Sequence, residues 1–256
     1  MARFGKHVRP TSRAGFAVGL TAAIFGALAL MGGLGYASIG RSSASAAQYE
    51  YTPTPLNPGT TTCNGVYNGT GTNVIVPGGA VCTLAAGTTV THDVNVESGG
   101  TLIDLGVAIG HDIDANGADG IQVAGGTVGH DLTINGLNGS PPTGDNFVCS
   151  TTVSHDLVVT NGTAAGGSID IGDPPDCSTG NNVGHDLNVQ GNANHVDVSE
   201  NGTSGTPIGH DLIVKNNHPG GAGVIHNYAG HNATCAGNLP QTGSANHAAG
   251  TNTCPV

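Results

Sequence analysis

The sequence predicts an all-β fold, a single-stranded parallel β-helix (solenoid) of about 7–8 turns. Of its 256 residues, 44 are Gly and only 9% are charged, whereas average proteins contain roughly 7% Gly and 25% charged residues. There is no Trp, and aromatic residues make up 4%. A core of small β-branched residues, built from a repeated unit, fits this composition.

A seven-residue motif with an apolar residue, a small residue, His and Asp, followed by alternating residues, occurs six times. The spacings between its histidines are 19, 19, 25, 30 and 25 residues, and a degenerate seventh copy with His231 follows after 21. Recurrence at this period, with period-2 alternation inside each copy, indicates stacked strands. The six copies are Val90–Val96, Ile109–Ala115, Val128–Ile134, Val153–Val159, Val183–Val189 and Ile208–Val214.

Each copy begins one turn of the predicted solenoid. A 19-residue turn at about 3.3 Å per residue has a path of roughly 60 Å, which is enough for three short strands separated by bends. Alternation places Leu157 and Val159 inside and Asn95 outside. Gly-rich segments such as Ser98–Gly100 and Gly125–Gly126 supply the positive φ angles that corners require.

The longer turns predict loops. Their surplus residues fall in the Pro-bearing segments Ser140–Pro142 and Asp173–Pro175, which we expect to project from one corner. Upstream, Val74–Gly79 parallels Val94–Gly99. One further turn is therefore expected before the first His-Asp pair.

The charge distribution divides the chain near residue 47. Five basic residues precede it, and an uncharged stretch leads to small residues, so residues 1–47 read as a signal peptide. A retained membrane anchor is the alternative, because the stretch is long enough to cross a bilayer. Residues 48–62 are expected to form a Thr/Pro-rich linker, 63–235 the β-helix, and 236–256 a disulfide-closed C-terminal cap.

The six cysteines all lie beyond residue 47, and exported chains usually pair their cysteines. Two pairs are 19 residues apart, which is one short turn, and the third pair holds nearly equal positions in neighbouring turns. Such stacking gives the roughly 5–6 Å between Cα atoms that a disulfide needs, whereas a metal site would need cysteines closer in sequence. The predicted disulfides are Cys63–Cys82, Cys149–Cys177 and Cys235–Cys254.

Several segments together resemble a known group of proteins. These are Val76–Leu84, the repeated Gly-His-Asp-Leu turns, Asn232–Cys235 and Asn252–Pro255. They are similar to secreted right-handed β-helix repeat proteins of high-GC Gram-positive bacteria, and the similarity covers most of residues 63–255. It implies a right-handed solenoid outside the cell, and since the function of such proteins is generally unknown, it supplies no catalytic residues to carry over. The chain departs from that pattern where it has Gly-His-Asp instead of Gly-Gly-Asn or Gly-Asn.

The charge of the exported part limits its partners. Beyond residue 47, one Lys, Lys215, stands against all 17 acidic residues. Nucleic acid and anionic membrane are therefore excluded as partners, since both attract basic surfaces. A cell-wall or extracellular polymer, or end-to-end self-association, remains compatible with a secreted chain.

The repeated His-Asp pairs are the candidate site. Stacked turns predict a column of histidines about 4.8 Å apart and a parallel column of aspartates. Imidazole and carboxylate bind zinc, and stacked carboxylates bind calcium. The alternative is structural, because Asp favours tight corners and His can cover a bend. The candidate metal ligands are His92, Asp93, His111, Asp112, His130, Asp131, His155, Asp156, His185, Asp186, His210 and Asp211.

The sequence therefore predicts a secreted, non-enzymatic β-helix with a structural or surface-interaction role and no required cofactor. The first alternative is a solenoid that binds divalent cations, calcium or zinc, along the His-Asp columns. The second is a glycan-processing enzyme, since β-helices host such enzymes. Repetition of the aspartates argues against a unique catalytic pair, and the near absence of basic residues argues against cleavage of acidic polysaccharides.

Overall fold

The structure, a computed structural model, describes residues 59–172, 177 and 179–256. The predicted signal peptide, most of the predicted linker and the segment Asp173–Asp176 lie outside the described residues. Within them every regular element is a β-strand, and no helix has the length and hydrophobicity needed to cross a membrane.

Twenty-six strands follow one another in the described residues. β1 to β9 are Thr60–Thr62, Gly65–Tyr67, Thr70–Gly71, Asn73–Val76, Val81–Leu84, Thr89–Val90, Val94–Val96, Thr101–Asp104 and Ala108–Ile109. β10 to β18 are Ile113–Asn116, Gly120–Ala124, Thr127–Val128, Leu132–Asn135, Asn146–Cys149, Thr152–Val153, Leu157–Thr160, Ile169–Gly172 and Asn182–Val183. β19 to β26 are Leu187–Gln190, Val196–Ser199, Leu212–Lys215, Ala222–Ile225, Tyr228–Ala229, Ala233–Ala236, Gln241–Ser244 and His247–Ala248.

These strands confirm the parallel β-helix. The first sheet contains nine parallel strands in the order β1-β4-β7-β10-β13-β16-β19-β21-β24. The second sheet has nine in the order β2-β5-β8-β11-β14-β17-β20-β22-β25, and the third has six, β3 to β18, followed by the separate pair β23-β26. The described chain thus makes nine turns, compared with the seven to eight expected.

The difference of one to two turns arises at both ends of the expected range. Thr60–Thr62, within the predicted linker, form β1 and pair with Asn73–Ile75, which suits the β-branched side chain of Thr. Gln241–Ser244, within the predicted cap, pair in parallel with Ala222–Ile225.

The interior is filled by columns of aliphatic side chains. In the first sheet, Leu157 pairs with Leu187, and Val159 with Val189, and all four side chains are at most 1% exposed. Asn95 on the opposite face is exposed. The predicted alternation is therefore observed, and burial of these columns drives the turns to stack.

The sequence suggested that the loops of the long turns share one corner, and this prediction was wrong. Ser140–Pro142 lie between β13 and β14, at the corner joining the first and second sheets. Asp173–Pro175 lie outside the described residues, but the strands on either side of them in the chain, β17 and β18, belong to the second and third sheets. Period alone could not reveal this difference, because a spacing between histidines does not say where within a turn the surplus enters.

Three disulfides join the chain in the pairs that the repeat positions predicted. The Cα–Cα distances are 5.4 Å for Cys63–Cys82, 6.1 Å for Cys149–Cys177 and 4.7 Å for Cys235–Cys254. Disulfides of this kind are typical of oxidising, extracytoplasmic environments.

Candidate functional site: a histidine-aspartate ladder

The candidate site lies at the corner where the third sheet leads into the first sheet. In every turn that carries a motif histidine, three residues form this corner, and the last two are His-Asp or, in the final copy, His231-Asn232. From His111 onward, the main-chain N–H of each such histidine donates to the carbonyl of the histidine one turn earlier at 2.9–3.0 Å, and the N–H of His92 donates to the carbonyl of Thr72. Main-chain pairing therefore continues through the corner and aligns the side chains.

The seven imidazole rings stack in one continuous column. Their centroids are separated by 4.6–5.1 Å, and the four inner steps have interplanar angles of 1–8°. The expected spacing of about 4.8 Å is thus close to that observed. The members of the column are His92, His111, His130, His155, His185, His210 and His231.

The aspartates form a second column that is hydrogen-bonded along its length. Oδ1 of each accepts the main-chain N–H of the next aspartate or, at the end, of Asn232, at 2.9–3.2 Å. Asn73 begins this column by accepting the N–H of Asp93, and Asn232 closes it by accepting the N–H of Thr251. Neutral amides therefore cap both ends of the carboxylate column.

Each imidazole connects the two columns. From His111 onward, Nδ1 lies 2.7–3.1 Å from Oδ1 of the aspartate in the preceding turn. The distance from Nδ1 to the aspartate of its own turn grows from 2.7 Å at His92 to 3.7 Å at His210. The distance from Nδ1 to the aspartate of the preceding turn therefore stays nearly constant along the column, whereas the distance to the aspartate of the same turn does not. We call this arrangement the His-Asp ladder.

These contacts determine the protonation of the rings. A carboxylate only accepts hydrogen bonds, so from His92 to His210 Nδ1 must carry the proton that it donates. In a neutral ring, Nε2 is then the unprotonated nitrogen. Nδ1 of His231 lies 2.9 Å from Oδ1 of Asp211 and also 2.8 Å from the amide Nδ2 of Asn232. The ladder side chains are 44–55% exposed for the histidines and 21–34% exposed for the aspartates.

The ladder also offsets the repulsion between stacked carboxylates. Partial burial alone would raise the pKa of Asp93, Asp131 and Asp211, but hydrogen bonds from main-chain N–H groups and histidines hold all three below the usual 3.8. The hydrogen bond to Asp131 raises the pKa of His155 above 6.5. On the neighbouring outer face, burial and repulsion by Asp112, Asp93 and Asp131 raise the pKa of Asp114.

Neighbouring members of the ladder could hold a metal ion, since each His-Asp-His group offers three ligand atoms within 4.8 Å of one another. The gap of 2.7–3.1 Å between Nδ1 and the carboxylate oxygen of the preceding turn is a hydrogen-bond distance. The proton that Nδ1 donates in this bond occupies the position at which a metal ion would bind. The Nδ1 atoms are therefore poor metal ligands in this geometry, whereas Nε2 is unconstrained.

Two further ladders, which the sequence analysis missed, occupy the other corners. Their asparagines are at most 3% exposed, and each amide Nδ2 donates to Oδ1 of the next at 2.9–3.0 Å. These asparagines could have been found from their regular position in the sequence. From β19 onward, an Asn stands two residues after the end of each strand of the first and second sheets. The first-to-second-sheet corner holds Asn192, Asn217 and Asn238, and the second-to-third-sheet corner holds Asn181, Asn201, Asn227 and Asn246.

Among the described residues, one carboxyl group lies in the apolar interior. Asp104 is 1% exposed and occupies the inward register position between Leu84 and Val123. Its Oδ1 accepts the N–H of Val107 at 2.9 Å, and burial raises its pKa to about 7. Nothing in the sequence distinguished this aspartate from those on the surface.

Comparison with known proteins adds no further information about the site. No protein-family model, curated protein or solved structure matches the chain.

Proposed function

We propose that the protein is a secreted, non-enzymatic solenoid that presents a rigid, periodic surface to a cell-wall or extracellular polymer. The observation that carries this proposal is the His-Asp ladder, whose seven rings continue without interruption although the turns differ in length. A catalytic site requires a unique arrangement of groups, whereas this surface repeats one arrangement in every turn. The three disulfides support an extracellular location.

Export and binding are tested separately. The intact mass of protein from culture supernatant should place the N-terminus at Ala47 or Gln48, and recovery of only the full-length chain in membranes would contradict export.

Purified protein should then co-sediment with isolated cell-wall polymer. A variant with His111→Gln, His130→Gln and His155→Gln should bind less, while His226→Gln serves as the control away from the ladder. Equal binding by all three proteins would contradict a role for the ladder.

The second candidate function is binding of divalent metal ions, and the His-Asp-His groups within 4.8 Å favour it. When secreted protein is dialysed against increasing concentrations of Zn²⁺, elemental analysis should detect more bound zinc in protein with the ladder than in the triple His→Gln variant. Equal metal content in the two would contradict this candidate.

The glycan-processing alternative has weaker support. An open groove of about 410 Å³ contains Glu200 and His226, whose Oε1 and Nδ1 atoms lie 3.9 Å apart. Hydrolysis of glycosidic bonds generally requires two carboxyl groups, and Glu200 is the one acidic residue among the described residues lining this groove. Activity against a panel of neutral polysaccharides would test this alternative.

A further inference from the structure

The outward edge of the His-Asp ladder is a row of Nε2 atoms, none of which has a hydrogen-bond partner among the described residues. Nδ1 of each ladder histidine is engaged with carboxylates, and Nε2 has no hydrogen-bond partner within the described part of the chain. In neutral rings each Nε2 presents a lone pair, which is the form of imidazole that binds metal ions. Six intervals of about 4.9 Å make this imidazole edge about 29 Å long.

The spacing of the edge restricts how an ion can bind. Two zinc–nitrogen bonds span about 3.4 Å at the tetrahedral angle and at most about 4.2 Å when collinear. Neighbouring inner rings are nearly parallel and 4.9–5.1 Å apart, so their corresponding atoms are too far apart to share one ion. Tilting the rings together would break the contacts of Nδ1 with the aspartates. Each ion can therefore take one ladder imidazole, and its other ligands must come from outside the ladder.

The aspartates assist this kind of binding without touching the ion. A carboxylate that accepts the second ring N–H of a metal-bound histidine fixes the ring orientation and increases the basicity of the ligating nitrogen. Here that carboxylate also accepts a main-chain N–H, as Asp131 does from Asp156. Calcium fits poorly, because it requires six to eight oxygen ligands. Imidazole nitrogen instead favours zinc, copper and nickel.

We propose that the imidazole edge is a docking surface for divalent ions of the zinc, copper and nickel class that are already fixed to an external surface or polymer. This inference rests on the metal-binding candidate and specifies its atoms: one Nε2 per ion, with the aspartates as positioning residues. A single imidazole holds an ion weakly, but several rings of the rigid row engage fixed ions together where the ions are spaced at multiples of the ring interval, and the effective concentration of each further contact is then high. The same row gains no such advantage from ions free in solution.

The test measures dissociation of the mature, disulfide-bonded protein from a chelating surface loaded with Ni²⁺ or Zn²⁺. The variant with His111→Gln, His130→Gln and His155→Gln should dissociate at least about tenfold faster, because three consecutive contacts are lost. The matched control changes three histidines outside the ladder, His218→Gln, His226→Gln and His247→Gln, and should stay within about twofold of the unchanged protein. Melting curves establish that both variants are folded.

A second variant tests the positioning role. Asp112→Asn with Asp131→Asn keeps every histidine and should weaken attachment by about tenfold. Nitrogen NMR of the unchanged protein should show Nδ1 protonated and Nε2 shifted by Zn²⁺, and the variant should lose the uniform Nδ1–H tautomer. An unchanged tautomer and unchanged attachment would overturn the role of the aspartates.

Other outcomes would overturn the docking proposal. Equal acceleration in the ladder variant and its control would show that the row has no special role. Tight binding of soluble zinc at one ion per two ladder histidines would show chelation within the ladder, which contradicts the proposal but retains the metal-binding candidate. Zinc-dependent pairing of two chains through the ladder would show that an ion needs a second row. If the protein binds neither free nor fixed ions, the proposal is eliminated together with the metal-binding candidate on which it rests.

Discussion

Nδ1 of His111 lies 3.1 Å from Oδ1 of Asp93, the aspartate of the preceding turn, as well as 2.9 Å from Oδ2 of its own Asp112. The imidazole therefore bridges two turns through side chains at a position where the main chain also pairs. Each inner carboxylate is shared between neighbouring histidines, which explains how aspartates can stack without unopposed repulsion.

Substitutions at Asp131 should separate its acceptor role from its charge. Asp131→Ala leaves the N–H of Asp156 and Nδ1 of His155 without their acceptor, so we expect the free energy of unfolding to fall by about 1–3 kcal/mol. Asp131→Asn retains an Oδ1 acceptor and should cost less. Urea unfolding measures both, with Asp145→Ala in an exposed loop as the control, expected within about 0.5 kcal/mol of the unchanged protein. Equal losses in the Ala and Asn variants would contradict the assigned acceptor role.

The stabilisation by the ladder should depend on pH in a defined window. The lowered pKa values of Asp93, Asp131 and Asp211 mean that their contribution is present above 3.8 and disappears as pH falls through those lowered values. The raised pKa of His155 means that its contribution is complete below 6.5 and disappears as pH rises through its raised value. The stability difference between the unchanged protein and Asp131→Asn should therefore be largest between pH 3.8 and 6.5. A difference that is constant from pH 3 to 9 would exclude this linkage.

Asp104→Asn should stabilise the protein at neutral and higher pH. Burial raises the pKa of Asp104 from 3.8 to about 7, so the cost of this group appears as pH rises from 3.8 through 7. Asn removes that charge and retains an acceptor for the N–H of Val107. We expect a gain of about 2–4 kcal/mol at pH 8 and almost none at pH 3.5, measured by chemical unfolding. A gain that is equal at both pH values would show that Asp104 does not titrate in this range.

Loss of one buried asparagine should weaken an entire corner. Asn201 is fully buried, donates to the carbonyl of Ile171 and to Asn227, and accepts from Asn181. Asn201→Ala leaves several buried groups without partners, so we expect a loss of about 2–4 kcal/mol. Asn95→Ala, on the exposed face of the first sheet, is the control and should change stability by less than about 0.5 kcal/mol. Similar losses in both would mean that the buried ladder adds little.

Removing the last disulfide should affect the C-terminal turn first. The bond between Cys235 and Cys254 links β24 to the segment that covers it, where Ala233 pairs with Asn252. Replacing both cysteines by Ala should lower stability by about 3 kcal/mol. Hydrogen exchange should quicken in Ala233–Ala236 before it changes in Leu157–Thr160. Uniform acceleration throughout the chain would instead indicate one fully cooperative unit.

The sequence predicted those features that depend on the repeat period. The His-Asp motif located the start of the first-sheet strands, and alternation identified Leu157 and Val159 as interior residues. Features that depend on contacts between turns were less accessible. The burial of Asn201 and Asp104, and the donation from His111 to Asp93, follow from how corners stack, which spacing alone does not specify.

The constant three-residue length of the His-Asp corner has a consequence for the size of the molecule. Insertions lengthen the other two corners, as between β13 and β14, but none separates a third-sheet strand from the histidine that follows it. From His92 to Asn232 every turn carries one pair, six of them His-Asp and the last His-Asn, whatever loops the turn contains. Each pair therefore corresponds to about 4.8 Å along this part of the solenoid. The number of pairs in the ladder therefore reports how many turns this part of the solenoid contains.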